Sequence, residues 1–159
     1  MAYLTPFILV LNPHDKLPYR SMILNDEPGI PDDTYTLEEW YCPNPQCPCI
    51  EVSLKVLAIH QKMRAVDIRL SLDPQQPISP VLDIDDDDTF PVYTAKLFRI
   101  IAEHLKSDPD YVQGLRQHYY QLRAVAVDPS HPCYKAVDYW GKTGRRLSPA
   151  SQKQKRHKR

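Results

Sequence analysis

Glycine is scarce in this sequence of 159 residues, which contains only 4 glycines but 16 prolines. No Gly-x-Gly-x-x-Gly, phosphate-binding loop or Gly-x-Ser-x-Gly elbow occurs in it. These absences argue against the common nucleotide-binding proteins and against serine hydrolases of the elbow type. We expect proline, which restricts the unfolded chain, to stiffen the loops in place of glycine.

Long apolar runs are also missing. The longest, over residues 7–11, is far shorter than the roughly 20 residues that cross a bilayer. The N-terminus shows no basic region followed by a small-residue cleavage site, so a secretory signal is not expected. We therefore expect a cytoplasmic protein without a membrane partner. In that reducing compartment, clustered cysteines bind metal more often than they form disulfides.

Net charge is absent overall, since 20 basic and 20 acidic residues balance, but the two signs are separated along the chain. Residues 142–159 contain 8 basic residues and no acidic one, which leaves 12 basic and 20 acidic residues in residues 1–141. An acidic body thus precedes a basic tail. We predict one domain over residues 1–147 and a disordered tail over residues 148–159, which lacks the apolar residues of a core.

The tail is a candidate nucleic-acid-binding segment. Its basic side chains could contact backbone phosphates or an acidic protein surface, or they could only keep the terminus solvated. No aromatic residue lies among them, so any binding to nucleic acid should be weak, independent of base sequence and sensitive to salt. The residues concerned are Lys153, Lys155, Arg156, Lys158 and Arg159.

Three of the 4 cysteines lie close together in the stretch YCPNPQCPC, residues 41–49. Thiolates at this spacing, held by prolines, resemble one wall of a tetrahedral zinc site. A disulfide between Cys47 and Cys49 would close a strained ring, and cytosolic redox poise opposes one between Cys42 and Cys47. The stretch therefore predicts that Cys42, Cys47 and Cys49 bind Zn²⁺.

A tetrahedral structural site needs a fourth ligand. Cys133 is the first candidate because it is the remaining thiol, and coordination by it would close a long loop. The alternatives are His131, His14 and His118, since neutral imidazole is a common partner of thiolates on zinc.

The signatures of catalytic zinc sites are absent. Zinc deaminases pair His-x-Glu with Pro-Cys-x-x-Cys, and many metalloproteases carry His-Glu-x-x-His; the sequence has none of these. Several thiolates also weaken zinc as a Lewis acid. His118, near Tyr119 and Arg123, could serve in proton transfer, but a histidine at the rim of an apolar face is more often a hydrogen-bonded core residue.

These features favour an intracellular interaction or adaptor domain in which zinc is structural. The chief alternative is a thiol redox sensor that releases zinc when it is oxidised. A further alternative is an enzyme with an open coordination position on the metal.

The stretch YCPNPQCPC, followed by an alternating strand, resembles uncharacterised bacterial proteins that carry the same Cys-Pro-rich knuckle. Some of these are associated with SEC-C-type zinc modules, the small cysteine motif at the end of the SecA motor. The resemblance covers residues 41–54, with a looser similarity in residues 115–119. It implies metal binding. The SEC-C module itself is not implied, because no Cys-Cys or Cys-His pair follows Cys49 at the spacing of that motif.

Two stretches of alternating apolar and polar residues, 50–60 and 63–72, predict an antiparallel β-hairpin. A short edge strand is expected at residues 81–84, and the apolar run predicts a further strand at residues 6–11. Residues 12–40 show no clear period, and only residues 35–40 are expected to form a short extended or helical piece.

Two helices are predicted after the strands. Residues 92–106 carry an apolar stripe, and four aspartates at residues 85–88 would stabilise the positive N-terminal end of this helix better than they would bind calcium, because they lack EF-hand spacing. Thr89 is expected to cap it, with Pro91 in its first turn. A second helix is expected between the N-cap Asp108 and Asp128-Pro129.

Aromatic residues after the second helix indicate that residues 130–147 dock on the body. We therefore predict an α+β fold in which a small antiparallel sheet is covered by two helices and carries a zinc-knuckle loop.

Overall fold

The computed structural model describes residues 3–7, 19–84 and 89–147 of the chain. These residues form six strands and three helices, which agrees with the predicted α+β class. The strands are β1 (Thr5–Pro6), β2 (Ser21–Leu24), β3 (Asp33–Tyr41), β4 (Glu51–Ala58), β5 (Met63–Ser71) and β6 (Val81–Asp83). The helices are α1 (Thr94–Ser107), α2 (Pro109–Ala126) and α3 (Tyr134–Thr143).

All the strands belong to one antiparallel sheet in the order β1-β3-β4-β5-β6, and β2 also pairs with β3. β1 and β2 pair with opposite ends of β3: Thr5 lies opposite Tyr41, and Leu24 lies opposite Asp33. This places the end of β3, just before Cys42, beside both the N-terminal segment and the start of β4.

The hairpin of β4 and β5 confirms the prediction from alternation. Seven apolar side chains of the two strands are fully buried on one face of the sheet: Val52, Leu54, Val56, Ala58, Val66, Ile68 and Leu70. In the connecting loop, Lys62 adopts a left-handed conformation with φ of 54°. The expected edge strand is also present as β6, which pairs with β5.

β3 is a longer strand than the sequence predicted. Its buried face consists of Asp33, Tyr35, Leu37, Glu39 and Tyr41. Because two of these five are acidic, the alternation of apolar and polar residues is hidden, and the prediction covered only residues 35–40. β2 was missed as well, since it has only four residues and lies at an edge.

The predicted N-terminal strand over residues 6–11 is confirmed only at Pro6, because Phe7 no longer belongs to a strand. Pro6 belongs to β1, and Phe7 follows it as a buried residue packed edge-on against Tyr41. Residues 8–11 of that prediction lie outside the described residues. So do the aspartates at 85–88 and the tail at 148–159.

Helix α1 begins two residues later than predicted, and the expected cap at Thr89 is wrong. Its N-cap residue is Tyr93, which makes no side-chain capping hydrogen bond. The hydroxyl of Thr94 instead donates to the carbonyl of Ala65 on β5, 2.8 Å away, which attaches the helix start to the sheet. In α2, Asp108 is the N-cap as predicted, and it accepts from the backbone N–H of Tyr111.

Helix α3 shows how the C-terminal segment docks. Trp140 lies edge-on to Trp40 of β3, with ring centroids 5.7 Å apart, and is 9% exposed. The backbone N–H of Tyr3 donates to the carbonyl of Gly141. Gly144 ends the helix in a left-handed conformation with φ of 67°. Docking was predicted from the aromatic residues, whereas the helix was not.

The described helices include none that is long and apolar enough to cross a membrane.

Candidate metal centre

Cys42, Cys47 and Cys49 form the candidate site, and their sulfur atoms all lie within 4.8 Å of one another. Cys42 directly follows β3, and the other two precede β4, so the two paired strands hold both ends of the loop. Asn44 folds the loop: its carbonyl accepts from the N–H of Cys47, and its side chain accepts from the N–H of Gln46. Three sulfur ligands are thus brought to one place.

The sulfur atoms of Cys47 and Cys49 lie 2.7 Å apart. This separation is longer than the roughly 2.05 Å of a disulfide bond. Two thiolates at 2.3 Å from a tetrahedral zinc would lie about 3.8 Å apart. Two thiolates on one zinc ion would therefore lie about 1 Å farther apart than these two sulfur atoms do.

The pKa values of the two neighbouring thiols are shifted in opposite directions. Hydrogen bonds from Cys49 lower the pKa of Cys47. Burial, together with the neighbouring Cys47, raises the pKa of Cys49 to about 12. Cys47 is therefore the first of the two to become a thiolate, the form that binds metal.

Helix α2 supports the cysteine loop through Tyr119 and Arg123, which are four residues apart and face the same way. The hydroxyl of Tyr119 donates to the carbonyl of Cys49 at 2.6 Å. Arg123 donates through Nη1 to the carbonyl of Cys47 at 2.7 Å and through Nη2 to that of Cys49 at 3.2 Å. The same Nη2 lies 3.5 Å from the sulfur of Cys49.

Sequence reasoning missed these two supporting residues. Both were considered only as neighbours of His118. Their spacing of four residues on a helix was a signal that they share a face. Nothing in the sequence indicated that this face meets the cysteine loop.

Cys133 does not belong to the group of sulfur atoms within 4.8 Å. It is the N-cap residue of α3, it is half-buried against the core, and its backbone N–H donates to Nδ1 of His131. Within the described residues, no histidine or carboxylate joins the three cysteines at that distance either. His14 lies outside the described residues.

His118 takes part in a different network. Its Nδ1 lies 2.6 Å from Oε1 of Glu39, and its ring stacks on Phe7 with centroids 4.1 Å apart. Glu39 is 4% exposed and also accepts from the hydroxyl of Tyr41 at 2.6 Å. Burial, followed by the charge of Glu39, raises the pKa of Tyr41 well above its usual value. This arrangement favours the hydrogen-bonded core histidine over a proton-transfer site.

A cleft of about 390 Å³ separates the cysteine loop from the ends of α2 and α3. The ion pair of Lys142 with Asp138 lies on its α3 side. At Gly141 of α3, an added Cβ would lie 3.2 Å from the ring of Pro43 in the loop. The cleft is also lined by Asn44, Pro45, Ala126 and Val137.

The chain was compared with models of protein families, with curated proteins and with solved structures, and nothing in any of these matches it. The resemblance of its cysteine stretch to bacterial knuckle proteins stays an expectation. What this chain does must be inferred from its own residues.

Proposed function

We propose that the chain is an intracellular interaction domain stabilised by one structural zinc ion. The observation that carries the proposal is the meeting of three cysteine sulfurs within 4.8 Å. Zinc suits three thiolates at this spacing better than calcium or magnesium, which prefer oxygen ligands. The ion would fix the loop between β3 and β4 against α2.

Cys133 is the proposed fourth ligand. It begins the helix whose next turn contains Val137, and Val137 lines the same cleft as the cysteine loop. Coordination requires the sulfur of Cys133 to move toward the other three, and the free energy of zinc binding can drive such a movement. The zinc would then join the loop before β4 to the start of α3.

A structural role is favoured over a catalytic one by the ligands themselves. Four thiolates would close the coordination sphere and leave no position for a water molecule. The cysteine loop is also supported from behind by Tyr119 and Arg123, whose hydrogen bonds to its carbonyls hold its shape. Both features serve a rigid surface better than a reacting centre.

Metal analysis of the purified protein tests the proposal. We expect close to one zinc per chain, and we expect its removal by a chelator to lower the melting temperature. Single serine variants of Cys42, Cys47 and Cys49 should each lose most of the bound zinc. Cys133→Ser should weaken binding too, whereas His131→Ala and His118→Ala should retain it. A wild-type protein that contains no zinc and gains no stability from it would overturn the proposal.

The basic tail is proposed to contact a negatively charged partner. Its charge is opposite to that of the body. The tail has 12 residues, and its 5 basic residues all lie within residues 153–159. Binding of duplex DNA should fall steeply with added salt and should disappear when residues 148–159 are deleted. Unchanged DNA binding after that deletion would show that the tail is not the binding segment.

A thiol redox sensor is the second candidate, and the closeness of the three cysteine sulfurs, all within 4.8 Å of one another, favours it. Peroxide would oxidise two of the clustered thiols to a disulfide and be reduced to two water molecules, and the zinc would be released. Mild peroxide followed by thiol reductant should release and restore the metal. If the protein keeps its zinc under peroxide, the redox-sensor function is refuted and the zinc is structural only.

A further inference from the structure

We propose that Arg123 compensates the charge of the metal centre and positions Cys49 within it. This inference rests on the proposed function, since it concerns the same three cysteines. Arg123 belongs to α2, far from these cysteines in sequence, and no metal-ligand pattern includes it.

The first argument is the geometry of the guanidinium. It donates to the carbonyl oxygens on both sides of Pro48, those of Cys47 and Cys49, and its Nη2 also lies within hydrogen-bonding distance of the Cys49 sulfur. A planar guanidinium can hold two acceptors at a fixed separation, which an ammonium group cannot. Arg123 therefore fixes the direction in which Cys49 presents its sulfur.

The second argument is charge. Zinc with three thiolates carries a net charge of −1, and a fourth thiolate makes it −2. Arginine remains protonated in proteins, so Arg123 places a permanent positive charge beside this group. Its guanidinium also lies over the ring of Tyr119 at 4.7 Å, and its Nε is buried without a hydrogen-bond partner in the described part of the chain. Partial removal from water strengthens its attraction to the thiolates.

Arg116 provides a matched control on the same helix. Its Nε donates to the carbonyl of Leu72 at 2.7 Å, and its Nη1 donates to Gln113 at 2.8 Å. It therefore makes the same kind of bond from a helix to a distant carbonyl, but with no cysteine as its partner.

The test measures zinc affinity by competition with a chromophoric chelator in the full-length chain. Arg123→Gln keeps an amide donor but removes the charge, and we expect it to bind zinc about 10- to 100-fold more weakly than wild type. Arg123→Lys restores the charge, and it should recover a large part of the lost affinity. Arg116→Gln should bind as wild type does.

Cobalt gives a second readout that loss of stability alone would not change. The sulfur-to-cobalt absorption bands of the Co²⁺-loaded protein should shift in Arg123→Gln and return toward wild type in Arg123→Lys. The inference is overturned when Arg123→Gln binds zinc within about twofold of wild type, or when Arg123→Lys binds no better than Arg123→Gln.

Two controls separate the possible failures. A wild-type chain that binds neither zinc nor cobalt refutes the proposed function itself, whereas a binding wild type with unaffected Arg123 variants refutes only this inference. Should Arg123→Gln prove unfolded, Arg123→Lys alone decides. An affinity of Arg123→Lys within about twofold of wild type would then refute the positioning by the planar guanidinium, and a loss of more than about tenfold would refute the charge compensation.

Discussion

Gln61 makes two hydrogen bonds to the carboxylate of Asp33, one from its backbone N–H at 3.0 Å and one from its side-chain amide at 2.9 Å. The same carboxylate accepts from the backbone N–H of His60 at 2.8 Å and from that of Thr34 at 2.7 Å. Asp33 is only 4% exposed, so the loop between β4 and β5 is closed by a buried acid at the start of β3.

Replacing Asp33 by Asn should destabilise the domain by about 2–4 kcal/mol, because a neutral amide accepts fewer and weaker hydrogen bonds than a carboxylate. The free energy of unfolding, measured in urea, checks this. Asp73→Asn is the control, since Asp73 accepts a single backbone N–H in an exposed turn. Its effect should stay below about 0.5 kcal/mol. Equal effects of both changes would contradict the role given to Asp33.

The carboxylate of Asp33 should also make the free energy of unfolding depend on pH in the acidic range. Burial raises the pKa of Asp33, but the hydrogen bonds from His60, Gln61 and Thr34 outweigh it, and the pKa lies below its usual value. A lowered pKa in the folded state gives stability above the unfolded pKa, near 3.9, and this stability is lost as the pH falls through the folded value. Below about pH 4, Asp33→Asn should therefore lose less stability than wild type. Parallel curves for the two proteins would refute this.

Glu39 and His118 should be coupled energetically. Removing the imidazole leaves the buried carboxylate with Tyr41 as its remaining hydrogen-bond donor among the residues that the structure describes. A double-mutant cycle of Glu39→Gln and His118→Ala should give a coupling of about 1–3 kcal/mol in the free energy of unfolding. Additive effects would show that the 2.6 Å contact contributes nothing.

Two glycines should respond to alanine in opposite directions. Gly144 has φ of 67°, and an added Cβ would lie 3.0 Å from the ring of Tyr3, so Gly144→Ala should destabilise by about 1–2 kcal/mol. Gly114 lies inside α2, and apart from its own stretch of helix no described atom lies within 4 Å of the added Cβ. Gly114→Ala should therefore stabilise by up to about 1 kcal/mol. Thermal unfolding of both variants checks the signs.

The support from Tyr119 can be tested with its neighbour as the control. Tyr119→Phe removes the hydroxyl that donates to the carbonyl of Cys49, whereas Tyr120 is 56% exposed. Zinc affinity should fall about tenfold in Tyr119→Phe and stay unchanged in Tyr120→Phe. Equal affinities would show that the carbonyl of Cys49 needs no such donor.

Patterns in neighbouring residues predicted the central hairpin and the start of α2. Alternation identified β4 and β5, and Asp108-Pro109 identified the start of α2, because burial of one face and capping both leave marks in adjacent residues. β3 was only partly predicted because Asp33 and Glu39 occupy its buried face. Their partners Gln61 and His118 are distant in sequence, so no local pattern explains two buried acids.

The candidate site was predicted only where its residues are neighbours in the chain. Cys42, Cys47 and Cys49 were found by their spacing and do meet in space. Arg123 was not assigned to the site, because its contact depends on how α2 packs against the end of the sheet. That Cys133 is the fourth ligand remains a prediction, which metal analysis of Cys133→Ser tests.

The edge-on pair of Trp40 and Trp140 makes the domain optically convenient, because the chain has just 2 tryptophans. One indole precedes Cys42 by two positions and the other belongs to α3, so tryptophan fluorescence reports on the single junction between β3 and α3. Undocking of α3 would alter this fluorescence even with the sheet still folded, and no attached dye is required.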